Sequence, residues 1–533
     1  MPEIRINSIS GGIAKSINEA GEKQYSDAVA IVPSWPAANS GNLNLFSPSE
    51  AIRPVGYSKF SVSVLNGNPY HILTNPKNTR VYSYLSTGRV ISYNSVLADE
   101  TSMSDLSTSV GNGAVYYNNY LYFMRDTDID SYGPLSGGTA AFTTGVWTGA
   151  ALGTQVALSD NATTYPSVRG AGTHPNHNGH VHTDGILYVC DFDKTTSTTA
   201  YRNHGLIHSI KTKFGTYEGD TNDGSGYASL VLPLDYRPIA LESYGTFLAV
   251  LCNRVAGSKV LNQGFPALFF WDPTGPDPDA EAIVPLPVQY VTAIKNVNNR
   301  LYLFGGPEPS SNLGFVLFRY EEGGGVTEIH RFYDGCSPLQ GAVDVMGEEL
   351  VFGSVKSDNL PSAGAWSYNT RTGAIHHIAS STASTTSTDG IVTALRFAEM
   401  GSLGRPRMVL GWRDSSSYGL DKFATGATLS SYWLSARYNI GRPFKITKII
   451  FNLNQAVASS MSIQPSIYYN SFISSKSLTL IDSTNYANGE RQIIQYPNVV
   501  GKKDFMLKLE FTGSVLLTLE MPIIIEYELL DAT

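Results

Sequence analysis

The apolar positions of this chain fall into a recurring phrase. A polar two-residue turn is followed by a short run rich in Leu, Tyr and Phe, and then by small residues. It is clearest at Asn298-Asn299-Arg300-Leu301-Tyr302-Leu303-Phe304-Gly305-Gly306. Such a pattern marks a hairpin whose second strand is buried on both faces. The phrase returns at Asn66-Gly67-Asn68-Pro69-Tyr70-His71-Ile72-Leu73, at Asn118-Asn119-Tyr120-Leu121-Tyr122-Phe123 and at Asp184-Gly185-Ile186-Leu187-Tyr188-Val189. It follows again at Tyr244-Gly245-Thr246-Phe247-Leu248-Ala249-Val250, at Gly347-Glu348-Glu349-Leu350-Val351-Phe352-Gly353 and, more weakly, at Gly404-Arg405-Pro406-Arg407-Met408-Val409-Leu410-Gly411. The copies stand at intervals of roughly 50 to 65 residues, near the repeat length of propeller blades. No segment carries a sustained i, i+3, i+4, i+7 apolar stripe, and the best helical candidate, Ile13 to Tyr25, is interrupted by Gly21. The expected fold is all-β. A β-propeller of about seven blades spans residues 58–425, after an extended N-terminal arm, 1–57, and before a C-terminal antiparallel β-sandwich, 426–533.

Within this plan the first blade reads as Tyr57 to Leu65, the Asn66-Gly67 turn, Tyr70 to Leu73, and then the hairpin Arg80 to Leu85 with Arg89 to Tyr93. Outer hairpins read at Phe315 to Tyr320 with Val326 to Phe332, and at Gly364 to Tyr368 with Ala374 to His377. The polar stretches Gly133 to Thr164 and Gly215 to Gly226 read as insertions, which in radial repeats map to loops on one face, often the binding face. From about Tyr432 alternation becomes strict: Phe505, Leu507, Leu509 and Phe511 face one way, and Met506, Lys508 and Glu510 the other. The joint between the two domains is placed at Thr425 to Ser430. In the arm, the density of Pro and Gly disfavours helix and central strand, although Ile4-Arg5-Ile6-Asn7 suits a brief strand. Its Trp35, Leu43, Leu45 and Phe46 would be costly in water, at about 25 cal/mol per Å² of apolar surface. They dock either on the chain's own propeller or on a neighbouring subunit.

Composition fits the same class. Charged residues are 15% of a 533-residue chain, against the usual quarter or so. Gly, Ser, Thr and Asn stand in their place with 31 Tyr and 22 Phe, a mixture that favours strands joined by tight loops. The net charge of −8, with no basic run, argues against direct nucleic-acid binding. No stretch approaches a membrane span, and Met1-Pro2-Glu3-Ile4-Arg5 lacks the pattern of a secretory signal. Cys190, Cys252 and Cys336 are odd in number and widely spaced, which gives no disulfide framework; Cys190 and Cys252 read as small buried hydrophobes. A protein made in a reducing cytoplasm is expected.

Candidate chemistry is sparse. His174-Pro175-Asn176-His177-Asn178-Gly179-His180-Val181-His182 holds four of the ten histidines. On a strand His180 and His182 share a face that could seat a metal ion, yet no carboxylate or Cys lies at ligand spacing within the run. A packed, hydrogen-bonded strand near the propeller axis is the favoured reading. Asp126-Thr127-Asp128-Ile129-Asp130 has calcium-loop spacing, but Ser131 and Gly137 stand where that loop needs Gly and Glu, so a solvated loop is expected. The glycine-rich stretch Asp220 to Gly226 is acidic and has no following helix to favour phosphate. Asp191 and Asp193 read as a strand exit, and no Gly-x-Ser-x-Gly elbow is assigned. No catalytic, cofactor-binding or metal residues are assigned, no cofactor is expected, and the chain is not expected to be an enzyme.

Three stretches carry a resemblance: Ser10-Gly11-Gly12-Ile13-Ala14-Lys15-Ser16, Leu73-Thr74-Asn75-Pro76-Lys77-Asn78-Thr79-Arg80-Val81-Tyr82-Ser83-Tyr84-Leu85, and Tyr438-Asn439-Ile440-Gly441-Arg442-Pro443. They resemble propeller-bearing structural proteins of tailed-bacteriophage virions. The resemblance covers arm, propeller and tail domain in outline, and its motifs are architectural. It implies a multi-copy virion component of the tail or head–tail junction, assembled in the host cytoplasm, whose partners are other virion proteins and copies of itself. The alternative is a receptor-binding or carbohydrate-binding propeller that meets host surface glycan through the long loops of blades two and three. A glycan-degrading enzyme is a third, weaker option.

Overall fold

A computed structural model of the chain describes residues 2–6, 28–30, 50–52, 55–59, 65–74, 80–94, 100–105, 113–125, 129–143, 178–192, 204–210, 230–254, 265–274, 280–307, 314–332, 335–354, 363–371, 373, 375–383, 390–399, 406–414, 417–428, 431–435, 437–453, 456–457, 461–470, 474–486, 490–513 and 518–531. Among these the single helical element is a 3-10 turn, Gln340–Ala342, and every other regular element is a strand. The described residues fall into two compact units, one of residues 59–363 and 383–422, the other of 1–58, 364–382 and 423–533.

Among the described residues, seven four-stranded sheets follow one another along the chain. Their first strands are β1 (Pro69–Thr74), β2 (Gly113–Tyr117), β3 (Gly179–Val181), β4 (Tyr236–Tyr244), β5 (Tyr290–Val297), β6 (Val343–Met346) and β7 (Ile391–Glu399). Each first strand touches the next, from β1 through to β7, and β7 touches β1. The first six sheets each take four consecutive strands, whereas the seventh takes its fourth, Val55–Lys59, from ahead of β1. This all-β organisation is consistent with a β-propeller.

Six of the seven copies of the recurring phrase supply second strands, whereas the copy at Asn66 to Leu73 supplies β1. Leu121 to Met124, Leu187 to Cys190, Leu248 to Cys252, Leu301 to Phe304 and Leu350 to Phe352 are fully buried, because each run is covered on both faces by neighbouring sheets. One core joins Leu251 and Leu268 to Val291 and Leu303, and another joins Ile72 and Ile91 to Val409 and Leu420. Asn118 and Asn119, at φ 45° and 70°, and Asn298 and Asn299, at φ 51° and 60°, make the left-handed two-residue turns ahead of two of these strands. Asn tolerates that backbone better than other side chains.

Four first strands carry a bulge at the same place, where the register steps over Tyr70, Ile239, Thr292 and Thr393. Three of these residues are tied to another sheet or its approach. Asn178 Nδ2 donates to the Ile239 carbonyl, Thr292 Oγ1 meets Ser337 Oγ at 2.6 Å, and Thr393 Oγ1 donates to Asn68 Oδ1 at 2.7 Å.

The first blade is shifted from its expected place. Asn66-Gly67 is not a hairpin turn: Pro69–Thr74 opens the first sheet, and Val55–Lys59 belongs to the seventh. Local alternation marks a strand but not its partner, and a closed series lets a distant segment complete the last sheet. The stretch starting at Gly133 is only partly an insertion, since Ile129–Gly133 and Ala141–Thr143 are the third and fourth strands of the second sheet. Residues 144–164 and 215–226 lie outside the described residues.

The other unit holds two larger sheets. One runs Glu3–Ile6, Thr518–Leu529, Phe444–Leu453, Gln492–Gln495, with Glu50–Ile52 and Val499–Gly501 beside it. The second runs Ala28–Ala30, Ser431–Ser435, Asp504–Gly513, Met461–Tyr469, Ser474–Ser477, with Tyr438–Asn439 and Ile481–Asp482 beside it. Ile446, Phe451, Ile523 and Ile525 share one core with Ile463, Leu507, Leu509, Phe511 and Ile6. Three described strands of the arm, Glu3–Ile6, Ala28–Ala30 and Glu50–Ile52, therefore pair with the chain's own C-terminal sheets; Trp35, Leu43, Leu45 and Phe46 lie outside the described residues. Met506, expected to face away from the core, is 1% exposed, so its side of the sheet is covered too. Thr425 to Thr428, read as the joint, is the end of the strand Ser417–Thr428.

Candidate functional site

The seven first strands surround a cavity of about 650 Å³, to which each of them contributes. The 3-10 turn precedes β6 and reaches β1, β5 and β7. Gln340 fixes it there: its side chain accepts from Ile294 N–H at 2.8 Å and donates to the Ile294 carbonyl at 3.0 Å. Gly341 faces the Tyr70 carbonyl so closely that a Cβ would overlap it. Asn253 treats Val291 as Gln340 treats Ile294, at 2.8 and 2.9 Å. These two amides satisfy backbone groups on β5 that have no strand beside them.

Half of the wall is charged, in alternating sign. Glu242, Lys295, Asp344 and Arg396 come from β4, β5, β6 and β7, opposite Ala249, Tyr302, Val351 and Val409 of the second strands. Glu242, Lys295 and Arg396 follow the bulged Ile239, Thr292 and Thr393 at the same spacing, so equivalent backbone places carry them. Opposite charges on successive sheets then meet. Lys295 Nζ lies 3.4 Å from Glu242 Oε2, and Arg396 Nη1 lies 3.4 Å from Asp344 Oδ1. Phe397 N–H completes the Asp344 carboxylate at 2.9 Å. β1, β2 and β3 contribute Leu73, Val115 and Val181 to the lining, together with His71, Tyr116 and His180.

The histidine run places His180 on the cavity lining and buries His182 beside it. His182 Nε2 lies 3.1 Å from the Thr246 carbonyl, which can only accept, so that nitrogen carries the proton. His182 Nδ1 then accepts from Ser243 Oγ at 3.1 Å, and Ser243 Oγ accepts from His180 Nε2 at 2.8 Å. Burial holds the His180 imidazole below its ordinary pKa, outweighing the pull of the Glu242 carboxylate 3.9 Å away. Both nitrogens of His182 are therefore engaged within the protein. His174 and His177 lie outside the described residues, and among the described residues no group of three His, Cys, Asp or Glu is placed to hold a metal ion.

Two acidic expectations change. Asp130 is not in a solvated loop: it sits in the strand Ile129–Gly133, fully buried, with Arg125 Nη1 at 3.2 Å. Pairing with Phe123 draws it into the sheet, and the guanidinium offsets its desolvation. Asp191 is not at a strand exit but inside Leu187–Phe192, buried against His208 Nε2 at 3.2 Å; Asp193 lies outside the described residues. Cys190 and Cys252 pack in one core, and burial raises both thiols well above their ordinary pKa, so they stay protonated. The four alternating charges were missed in the sequence. Their signal is a sign that alternates at one place in successive repeats, visible only once the repeats are aligned strand by strand.

No family model matches the chain, and no curated protein matches it. Among solved structures it is similar to the WD40 domain of Neurospora crassa Pan2, at 7% identity and a TM-score of 0.41, over 70% of this chain and 97% of that one. It is also similar to the computationally designed Ika8 protein, at 11% identity and a TM-score of 0.38, over 68% of this chain and 98% of that one. Neither likeness is close enough to bear on function.

Proposed function

We propose that the seven sheets form a seven-bladed β-propeller, that the two larger sheets form a β-sandwich, and that the protein is a multi-copy structural component of a tailed-bacteriophage virion, at the tail or head–tail junction, without catalytic activity. The propeller reading is supported by the cyclic contact of β1 to β7. The assembly reading rests on one observation, exposed apolar side chains on the outer face of the six-stranded sheet, beside Lys445 and the Lys448–Glu526 pair. Ile494, Tyr496 and Val500 are 39%, 68% and 54% exposed, and Ile450 stands in register between Ile494 and Ile524. Exposed apolar side chains gathered on one sheet face mark a contact surface, here for copies of the chain or other virion proteins. The three resembling stretches supply the kind of assembly. Mass spectrometry of purified particles is expected to find the protein at a fixed multi-copy stoichiometry. Its absence from particles, or presence at variable trace levels, overturns the reading.

A further inference from the structure

In both ion pairs on the axial cavity the carboxylate is the buried member and the cation the accessible one. Glu242 and Asp344 expose 9% and 10% of their side chains, whereas Lys295 and Arg396 expose 23% and 44%. Both carboxylates are committed within the protein. Asp344 accepts from Arg396 Nη1 on one oxygen and from the Phe397 N–H on the other. Glu242 Oε2 is closed off from solvent, with Lys295 Nζ at 3.4 Å. The cations keep capacity in hand. Among the described residues Arg396 spends one N–H on Asp344, at a long 3.4 Å, and Lys295 pairs with Glu242 without a hydrogen bond. Guanidinium and ammonium can only donate, so what they offer the cavity is a set of charged donors.

The formal charge of the lining has the same sign. Arg80, Lys295 and Arg396 stand against Glu242 and Asp344, and Arg80 turns its Nη2 to a neutral group, Ser92 Oγ, at 2.7 Å. His71 and His180 also line the cavity, and protonation of either can only add positive charge. The chain as a whole carries −8, so a cationic lumen is a local arrangement that runs against the composition. Apolar side chains, among them Leu73, Val181 and Leu395, are interspersed with the charges. A lining of this kind suits an anionic group carried on an organic frame. The cavity, about 650 Å³, lies within the range of about 300–1,000 Å³ typical of small-molecule sites.

We propose that the axial cavity binds a small organic anion, whose carboxylate or phosphate oxygens accept from Arg396 and Lys295 while its frame lies among the apolar side chains. The assignment does not depend on the virion reading. Its test is saturation-transfer NMR and calorimetry on the full-length protein at low ionic strength, with two matched pairs, glucuronate against glucose and glycerophosphate against glycerol. The pairs separate carboxylate from phosphate. Putrescine and a single-stranded oligothymidylate serve as cationic and polymeric probes. At least one anion is expected to bind and its neutral counterpart not, and added salt is expected to weaken the binding. Arg396→Gln, at the most exposed of the four charged side chains, is expected to weaken it by about tenfold or more. Should that variant not fold, Lys295→Gln combined with Glu242→Gln, which removes the ammonium together with the carboxylate it would strand, is read in the same titration. The proposal is overturned if neither anion binds, if the neutral counterpart binds as well as the anion, if only putrescine or the oligonucleotide binds, or if the variant binds the anion unchanged.

Discussion

Lys295 and Glu242 show how a charge is kept inside a mostly apolar ring. Removing the ammonium strands a carboxylate whose side chain is only 9% exposed. Lys295→Met is expected to cost about 1–3 kcal/mol, less than a fully buried pair because Lys295 itself reaches solvent. The double variant with Glu242→Gln should recover most of that loss, and urea unfolding of the four proteins in a cycle checks it. His180 gives the pH dependence. Burial lowers its folded pKa, so below about pH 6.5 the unfolded chain binds more protons than the folded one. The His180 contribution to stability is whole above that pH and is lost as pH falls toward the folded value. Unfolding at about pH 7.5 and about pH 5 should show a smaller difference in His180→Gln than in the parent; an unchanged difference would place the titration elsewhere. Read one at a time, each charge looks like a solvated exception on a strand. Only the register of β4 to β7 gives the four a common meaning, and in β4, β5 and β7 that register includes a bulge no local pattern announces.

At the level of elements, the turns and second strands were legible because their chemistry is local. Asn298-Asn299 needs left-handed backbone, and the run after it must be apolar on both faces. Asn299→Gly is expected to be neutral or slightly stabilising, whereas Asn299→Val should cost about 1–2 kcal/mol, since a β-branched residue is strained at positive φ. Thermal melts of the pair decide the point. The links between sheets were not legible, because they join residues far apart in sequence. Thr393 Oγ1 reaches Asn68 and the Pro69 carbonyl, tying the seventh sheet to the first. Thr393→Val keeps the shape and removes the donor, and a loss of about 1–2 kcal/mol in urea unfolding is expected. Asp130 and Asp191 were misplaced for a more local reason: their partners Arg125 and His208 become neighbours only once adjacent strands of one sheet pair.

At the scale of the whole chain, the two ends serve one unit: Glu3–Ile6 and Glu50–Ile52 both pair with Thr518–Leu529. The sequence showed the strict alternation of that region but not that the first residues add strands to it. Its exposed apolar side chains give the assembly prediction. Tyr496→Asp places a charge among them and should reduce self-association in sedimentation experiments while leaving the melting temperature nearly unchanged. The strand Val55–Lys59 has a different consequence, one of timing. It leaves the ribosome early, but its partner Ser417–Thr428 is made only after all the intervening sheets. Throughout that interval the nascent chain carries an unmatched edge, open to the same strand's partner on a sibling polysome product. The pace of translation thus helps to decide whether the circle is completed within one polypeptide or by exchange between two.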